Sequence, residues 1–166
     1  MGTSSLKSSS LTNRDALPKV ATNARLYGAP KHSAYGYVTA AAADDTASRY
    51  RMVAVPSNAF VRAVYLSSVA QGGSAAVDVG VYRTPKDGGA VCDADLFGSG
   101  VSLVSVVPRT DVTNESTNFT AAMREQPLWQ AAGLSADPGG ELDIVVAPSA
   151  ALTNGGPVAL EVEYVI

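Results

Sequence analysis

The stretch Ala75-Ala76-Val77-Asp78-Val79-Gly80-Val81-Tyr82 puts Val77, Val79 and Val81 on one side of the chain and Asp78 and Gly80 on the other. A period of two marks a β-strand with one face turned to a core. Turn signals bound it, Gln71-Gly72-Gly73-Ser74 before and Pro85-Lys86-Asp87-Gly88-Gly89 after. The same arrangement recurs in both directions. Upstream, Tyr35–Ala43 stops at Asp44-Asp45 and Arg49–Val55 stops at Pro56-Ser57-Asn58. In Phe60–Val69 the alternation assigns Phe60, Val64 and Leu66 to one face, and Val61, Ala63 and Tyr65 to the other. Downstream, Val101–Val107 ends at Pro108, and Glu141–Ala147 sets Leu142, Ile144 and Val146 against Asp143 and Val145. Last, Pro157–Ile166 sets Val158, Leu160, Val162 and Tyr164 against Glu161 and Glu163.

Between these runs the pattern loosens. Cys92–Phe97 reads as one helical turn capped by Asp93 or Asp95. Asp111–Asn118 reads as a polar loop. Leu128–Ala132 reads as a short helix with Pro127 in its first turn, Gly133 as its stop and Trp129 as its core anchor. Seven or eight strands with little helix predict an all-β fold, an antiparallel sandwich of the jelly-roll kind, rather than a parallel βαβ sheet.

The sandwich is expected over residues 35–166, preceded by an extended or flexible arm, residues 1–34. Residues 1–13 are rich in Ser and Thr, without periodicity, and Pro18, Gly28 and Pro30 interrupt the rest. Charge divides the same way. Residues 1–35 carry Lys7, Arg14, Lys19, Arg25 and Lys31 against Asp15 alone, a balance of +4, whereas residues 36–166 carry 7 basic and 14 acidic side chains, a balance of −7. Such an arm either meets a negative partner or merely keeps the chain soluble. Its cations stand apart, with Tyr27, Tyr35 and Tyr37 only toward its end, where nucleic-acid binders cluster Arg and Lys among aromatics. Direct nucleic-acid binding is therefore not expected.

The 166 residues, 46% hydrophobic, suit one domain with a real core. No run is long and apolar enough for a membrane helix, and the first residues lack the apolar core of a signal peptide. The single cysteine, Cys92, excludes an intrachain disulfide, and the single histidine, His32, excludes most zinc sites and His-paired catalytic arrangements. Carboxylates at Asp44/Asp45, Asp93/Asp95, Asp143 and Glu161/Glu163 offer acid–base pairs to a glycosidase, but they read equally well as turn, cap and solvated-face residues. Asp93 and Asp95 match only the opening of a calcium loop, and Gly98 and Gly100 lack the third glycine of a dinucleotide loop. Asn114 and Asn118 each open a glycosylation sequon, a weak signal without a secretion signal. The expectation is a protein without catalytic residues, cofactor or metal. Both faces of the second and third strands are apolar, and Val53, Val61, Ala63 and Tyr65 are expected to form a self-association surface for a trimer or dimer unless the N-terminal arm or the Asp111–Asn118 loop covers them.

The runs YRMVAVPSNAFVRAVYL (50–66), VDVGVY (77–82) and GGAVCDADLF (88–97), continued by LWQAAGL (128–134), DPGGELDI (137–144) and VALEVEYV (158–165), resemble a family of small structural proteins of tailed bacteriophages. The resemblance spans most of residues 35–166. It implies a virion component, a head decoration or cement protein with a jelly-roll-like sandwich. The major capsid protein would be its partner, and the host bacterial cytoplasm the place where it is made. It carries over no catalytic residue. A carbohydrate-binding sandwich of a phage tail fibre or a secreted protein is the alternative, with Tyr65, Tyr82 and Trp129 as stacking rings.

Overall fold

The computed structural model describes residues 6–166. They divide into two units, the first ending at Pro30 and the second running from Lys31 to Ile166. The first unit contains α1 (Ser9–Asp15), which buries none of its residues. Nothing in the sequence of this segment predicts a helix. A seven-residue helix has little intrinsic stability in water, and α1 ends just before Leu17, whose place ahead of Pro18 disfavours the helical conformation. The second unit begins at Lys31 rather than at residue 35, because His32, Ser33 and Ala34 already pair with Tyr164, Glu163 and Val162.

The second unit contains eight strands: β1 (His32–Ala40), β2 (Tyr50–Pro56), β3 (Phe60–Ser68), β4 (Ala76–Arg83), β5 (Val91–Ser102), β6 (Val107–Asp111), β7 (Glu141–Ala150) and β8 (Gly156–Val165). A short helix, α2 (Leu128–Ala131), precedes β7. The strands form two antiparallel sheets, ordered β1-β8-β3-β6 and β2-β7-β4-β5. The pairs β4·β5, β3·β6, β2·β7 and β1·β8 nest inside one another along the chain, as in a ribbon folded back at the β4–β5 turn. Rolling that ribbon joins β3 to β8 and β4 to β7. This is the jelly roll, and it accords with the expected all-β sandwich.

The core lies between the sheets. Val64, Leu66, Val158, Leu160 and Val162 of the first sheet meet Val55, Val77, Val79, Val81, Leu142, Ile144 and Val146 of the second, all fully buried. Burying each such side chain stabilises the fold by about 1.5–3 kcal/mol. Val61 also belongs to this core, against the face expected for it. The β3–β8 register breaks between Val61 and Ala63, and the extra residue turns Val61 inward beside Val64. Ala63 is buried too, so the proposed self-association surface does not form as an open face. The connection after β6 lies against β3 instead: Val112 N–H donates to the Val64 carbonyl, Thr113 Oγ1 accepts the Val64 N–H, and Arg62 donates to the Arg124 carbonyl.

Three local expectations change. Residues 92–97 are not helical. They belong to β5, which steps from Asp93 to Gly98 while β4 advances only from Val81 to Val79, and this wide bulge crosses Gly80. A Cβ on Gly80 would lie 2.2 Å from the Ala94 carbonyl oxygen, so only glycine admits the crossing. The single strand expected over Val101–Val107 divides at Leu103, which turns into the core and is held through its N–H on the Ala75 carbonyl and its carbonyl on the Gln71 N–H, both at 2.8 Å. In α2 the fully buried anchor is Leu128, with Trp129 only partly buried at the edge of the core.

Candidate functional site

The groups that sequence reasoning weighed for catalysis are dispersed. His32 stacks on Tyr164, ring centroids 5.6 Å apart. Cys92 is partly covered, and burial pushes its thiol above the ordinary range. Asp93 accepts the Asp95 N–H within the β5 bulge rather than at the start of a helix, and burial raises its carboxyl. Asp44 accepts the Tyr50 hydroxyl at 2.6 Å and the Ala41 N–H, which together hold it below its usual range. Asp143 is bound by Arg51 at 2.6 Å, and the same guanidinium reaches the Arg83 and Gly89 carbonyls, bolting β2 to the β4–β5 turn. Among the described residues no three His, Cys, Asp or Glu side chains converge as a metal site would require.

The five cations expected to bind a partner fall into two groups. In the first unit, Lys7 and Arg14 both bond Asp15, at 2.8 and 2.7 Å, and their hydrogen bonds, with Arg14 the stronger influence, lower the Asp15 carboxyl. Lys19 lines a cavity of about 420 Å³ together with Leu11, Arg14, Val20 and Tyr27. Arg25 donates its backbone N–H to the Asn23 side chain. Lys31 belongs to the second unit, where it bonds Glu163 at 2.7 Å.

That bond opens the most organised surface of the second unit, the outer face of the first sheet. Strand pairing sets Tyr35, Glu161 and Tyr65 in one row, with Ser33 and Glu163 in the row on one side and Tyr37, Ala159 and Ser67 in the row on the other. Arg109 ties the rows together. Its Nε donates to Glu161 at 2.9 Å, and its guanidinium lies 3.6 Å from the centre of the Tyr65 ring. The Arg109 hydrogen bond holds Glu161 below its ordinary range, and Glu163 raises Lys31 above its own. Beyond this charged ladder the face turns apolar. Ser67, Ser68, Val69, Val107, Pro157 and Ala159 line a shallow depression of about 200 Å³. Two tyrosines stand clear of the face, Tyr35 at 67% exposure and Tyr37 at 66%.

The rings named for sugar stacking are not available in this way. Tyr82 is buried, Trp129 packs against the core and Tyr65 lies beneath Arg109. The exposed rings, Tyr35 and Tyr37, share one face of β1 with Ser33 and Thr39 and alternate with Ala34, Gly36 and Val38, but nothing in that alternation tells that β1 stands at the end of its sheet. That fact belongs to the strand order.

No protein-family model matches the chain, and no curated protein matches it. Among solved structures, a chain of the cyanophage Pam1 capsid asymmetric unit is similar in fold, with a TM-score of 0.52 and 17% sequence identity over 89% of this chain and 92% of that one. Among the described residues no helix is long and apolar enough to cross a membrane.

Proposed function

We propose that the chain is a non-enzymatic structural protein of a tailed-phage virion, a decoration or cement protein that binds the outer surface of the major capsid protein lattice and stabilises the head. The observation that carries this reading is the likeness of fold to a chain of a cyanophage capsid asymmetric unit, which spans nearly the whole of both chains. A jelly roll alone hosts many functions, so the remaining support comes from the surface. The catalytic candidates are dispersed, the acidic body carries a basic arm, and one sheet face presents both ions and exposed rings. Weak contacts of this kind become effective when they repeat on a symmetric lattice, because each bound contact raises the local concentration of the next. The arm cations Lys7, Arg14, Lys19 and Arg25, with Lys31 at the start of the second unit, are its proposed partner-binding groups, and a closed dimer or trimer at the two-fold or three-fold axes is its proposed form. The carbohydrate-binding alternative draws less support, since Tyr82 is buried, Trp129 is partly buried against the core and Tyr65 lies beneath Arg109.

The test is to mix the purified chain with undecorated heads of its phage and sediment them. Saturable co-sedimentation, with heads that then resist heat better, is the expected result. A chain left in the supernatant at every ratio of protein to head would contradict the proposal.

A further inference from the structure

Each sheet of a sandwich has two end strands, and an unpaired strand edge invites another chain unless something blunts it. Three of the four ends here are blunted. β6 is five residues long and carries Pro108, Arg109 and Asp111. β2 breaks register between Arg51 and Val53 and ends in Pro56. β5 breaks register three times and carries Asp93 and Asp95. β1 differs on every count. Its nine residues hold one unbroken register against β8, from His32 opposite Tyr164 to Ala40 opposite Gly156. It contains no proline, Asp, Glu, Lys or Arg, and among the described residues no strand pairs with its far side.

The sequence of β1 is also self-complementary. Read outward from Gly36 in both directions, its residues match in kind: Tyr35 with Tyr37, Ala34 with Val38, Ser33 with Thr39. Antiparallel pairing of two such strands about Gly36 sets Tyr35 of each opposite Tyr37 of the other. The outer face then gains two aromatic cross-strand pairs flanked by Ser–Thr pairs, and the inner face sets Ala34 against Val38. Aromatic pairs and paired hydroxyls are favourable cross-strand neighbours, and a two-fold interface demands this kind of symmetry.

We propose that β1 is a dimerisation strand, through which two copies of this chain pair antiparallel about a two-fold axis at Gly36 and join their first sheets into one continuous sheet. The inference stands on the strand alone and does not depend on the virion reading. One strand pair buries little surface, so the dimer is weak in solution and concentration-dependent, and it strengthens wherever copies are held side by side.

Sedimentation velocity on the full chain over a range of concentrations tests this, with circular dichroism to check folding. The native chain is expected to pass from monomer to dimer as concentration rises. The double variant Tyr35→Lys/Tyr37→Lys sets like charges opposite each other twice and should weaken the dimer roughly a hundredfold. Tyr35→Lys/Tyr37→Glu sets opposite charges at the same two places and should recover most of that loss. Both variants change only exposed rings. A native chain that stays monomeric at every concentration overturns the proposal. So does an oligomer indifferent to Tyr35→Lys/Tyr37→Lys, or a Lys/Glu variant no better than the Lys/Lys one. A trimer untouched by either variant, yet still bound to heads, would overturn this inference while leaving the proposed function in place.

Discussion

A Cβ on Gly36 would stand 2.0 Å from the carbonyl oxygen of Met52, so β1 and β2, the neighbouring end strands of the two sheets, approach backbone to backbone at this point. Gly80 does the same for β4 and the bulge of β5, where the Ala94 carbonyl oxygen is 2.2 Å from the Cβ position. Neither obstacle is the movable tip of a side chain. Gly36→Ala and Gly80→Ala should each destabilise the second unit by about 1–3 kcal/mol, the usual cost of overpacking. Urea denaturation measures this, and an unchanged midpoint in both variants would contradict the close approach.

The anchor of α2 is open to a similar comparison. Leu128 is 1% exposed and in the core, and its N–H bonds the Ala59 carbonyl. Leu128→Ala should cost about 2–5 kcal/mol. Trp129→Ala should cost less, because its indole is only partly covered. Thermal unfolding of the two variants side by side gives the order, and the reverse order would return Trp129 to the centre of the core.

The carboxylates set a direction for pH. Asp44, held by the Tyr50 hydroxyl, and Asp137, held by the Ser57 hydroxyl and the Gly139 N–H, both lie below their ordinary value of 3.8 when folded. A depressed folded value contributes stability that is complete above the unfolded value and is lost as pH falls through the folded one. Asp93, raised by burial, acts in the opposite sense, since its contribution fades as pH rises. Stability should therefore fall as pH drops below about 4, and Asp44→Asn with Asp137→Asn should flatten that fall. Denaturation midpoints across the acid range check this, and a double variant as acid-sensitive as the native chain would contradict it.

How far these features were legible in the sequence depends on what they rest on. Val77–Val81, Leu142–Val146 and Val158–Val162 showed their faces because period-two alternation is local. Val61 misled because a bulge changes the phase of alternation without leaving a glycine or proline at that place. Residues 92–97 misled because Asp93 and Asp95 look like caps, while the real constraint lies on another strand, at Gly80. Charge groups Lys31 with the arm, but its partner Glu163 lies 132 residues away. Tyr35 and Tyr37 were visible as residues, yet their standing at a free edge depends on which strand ends the sheet. Alternation reports burial on one face, and it is silent on strand order.

The arm yields a further prediction. The core of the second unit draws its buried residues from Ala40 onward, with Val38 packed against it. Deleting residues 1–30 should leave the melting temperature of that unit nearly unchanged while weakening attachment to heads. Because Lys7, Arg14 and Lys19 are exposed, added salt should weaken attachment of the full chain in part, and that of the deleted chain less. Head-binding titrations at low and high salt read both effects, and equal binding by the two chains would show that the arm plays no part.

Electron cryo-microscopy of heads mixed with the full chain tests the central claim most directly. The account predicts jelly-roll density of the size of residues 31–166 on the outer surface of the shell, repeated at the symmetry of the major capsid lattice. Bare shells, or density confined to the tail or its fibres, would contradict it.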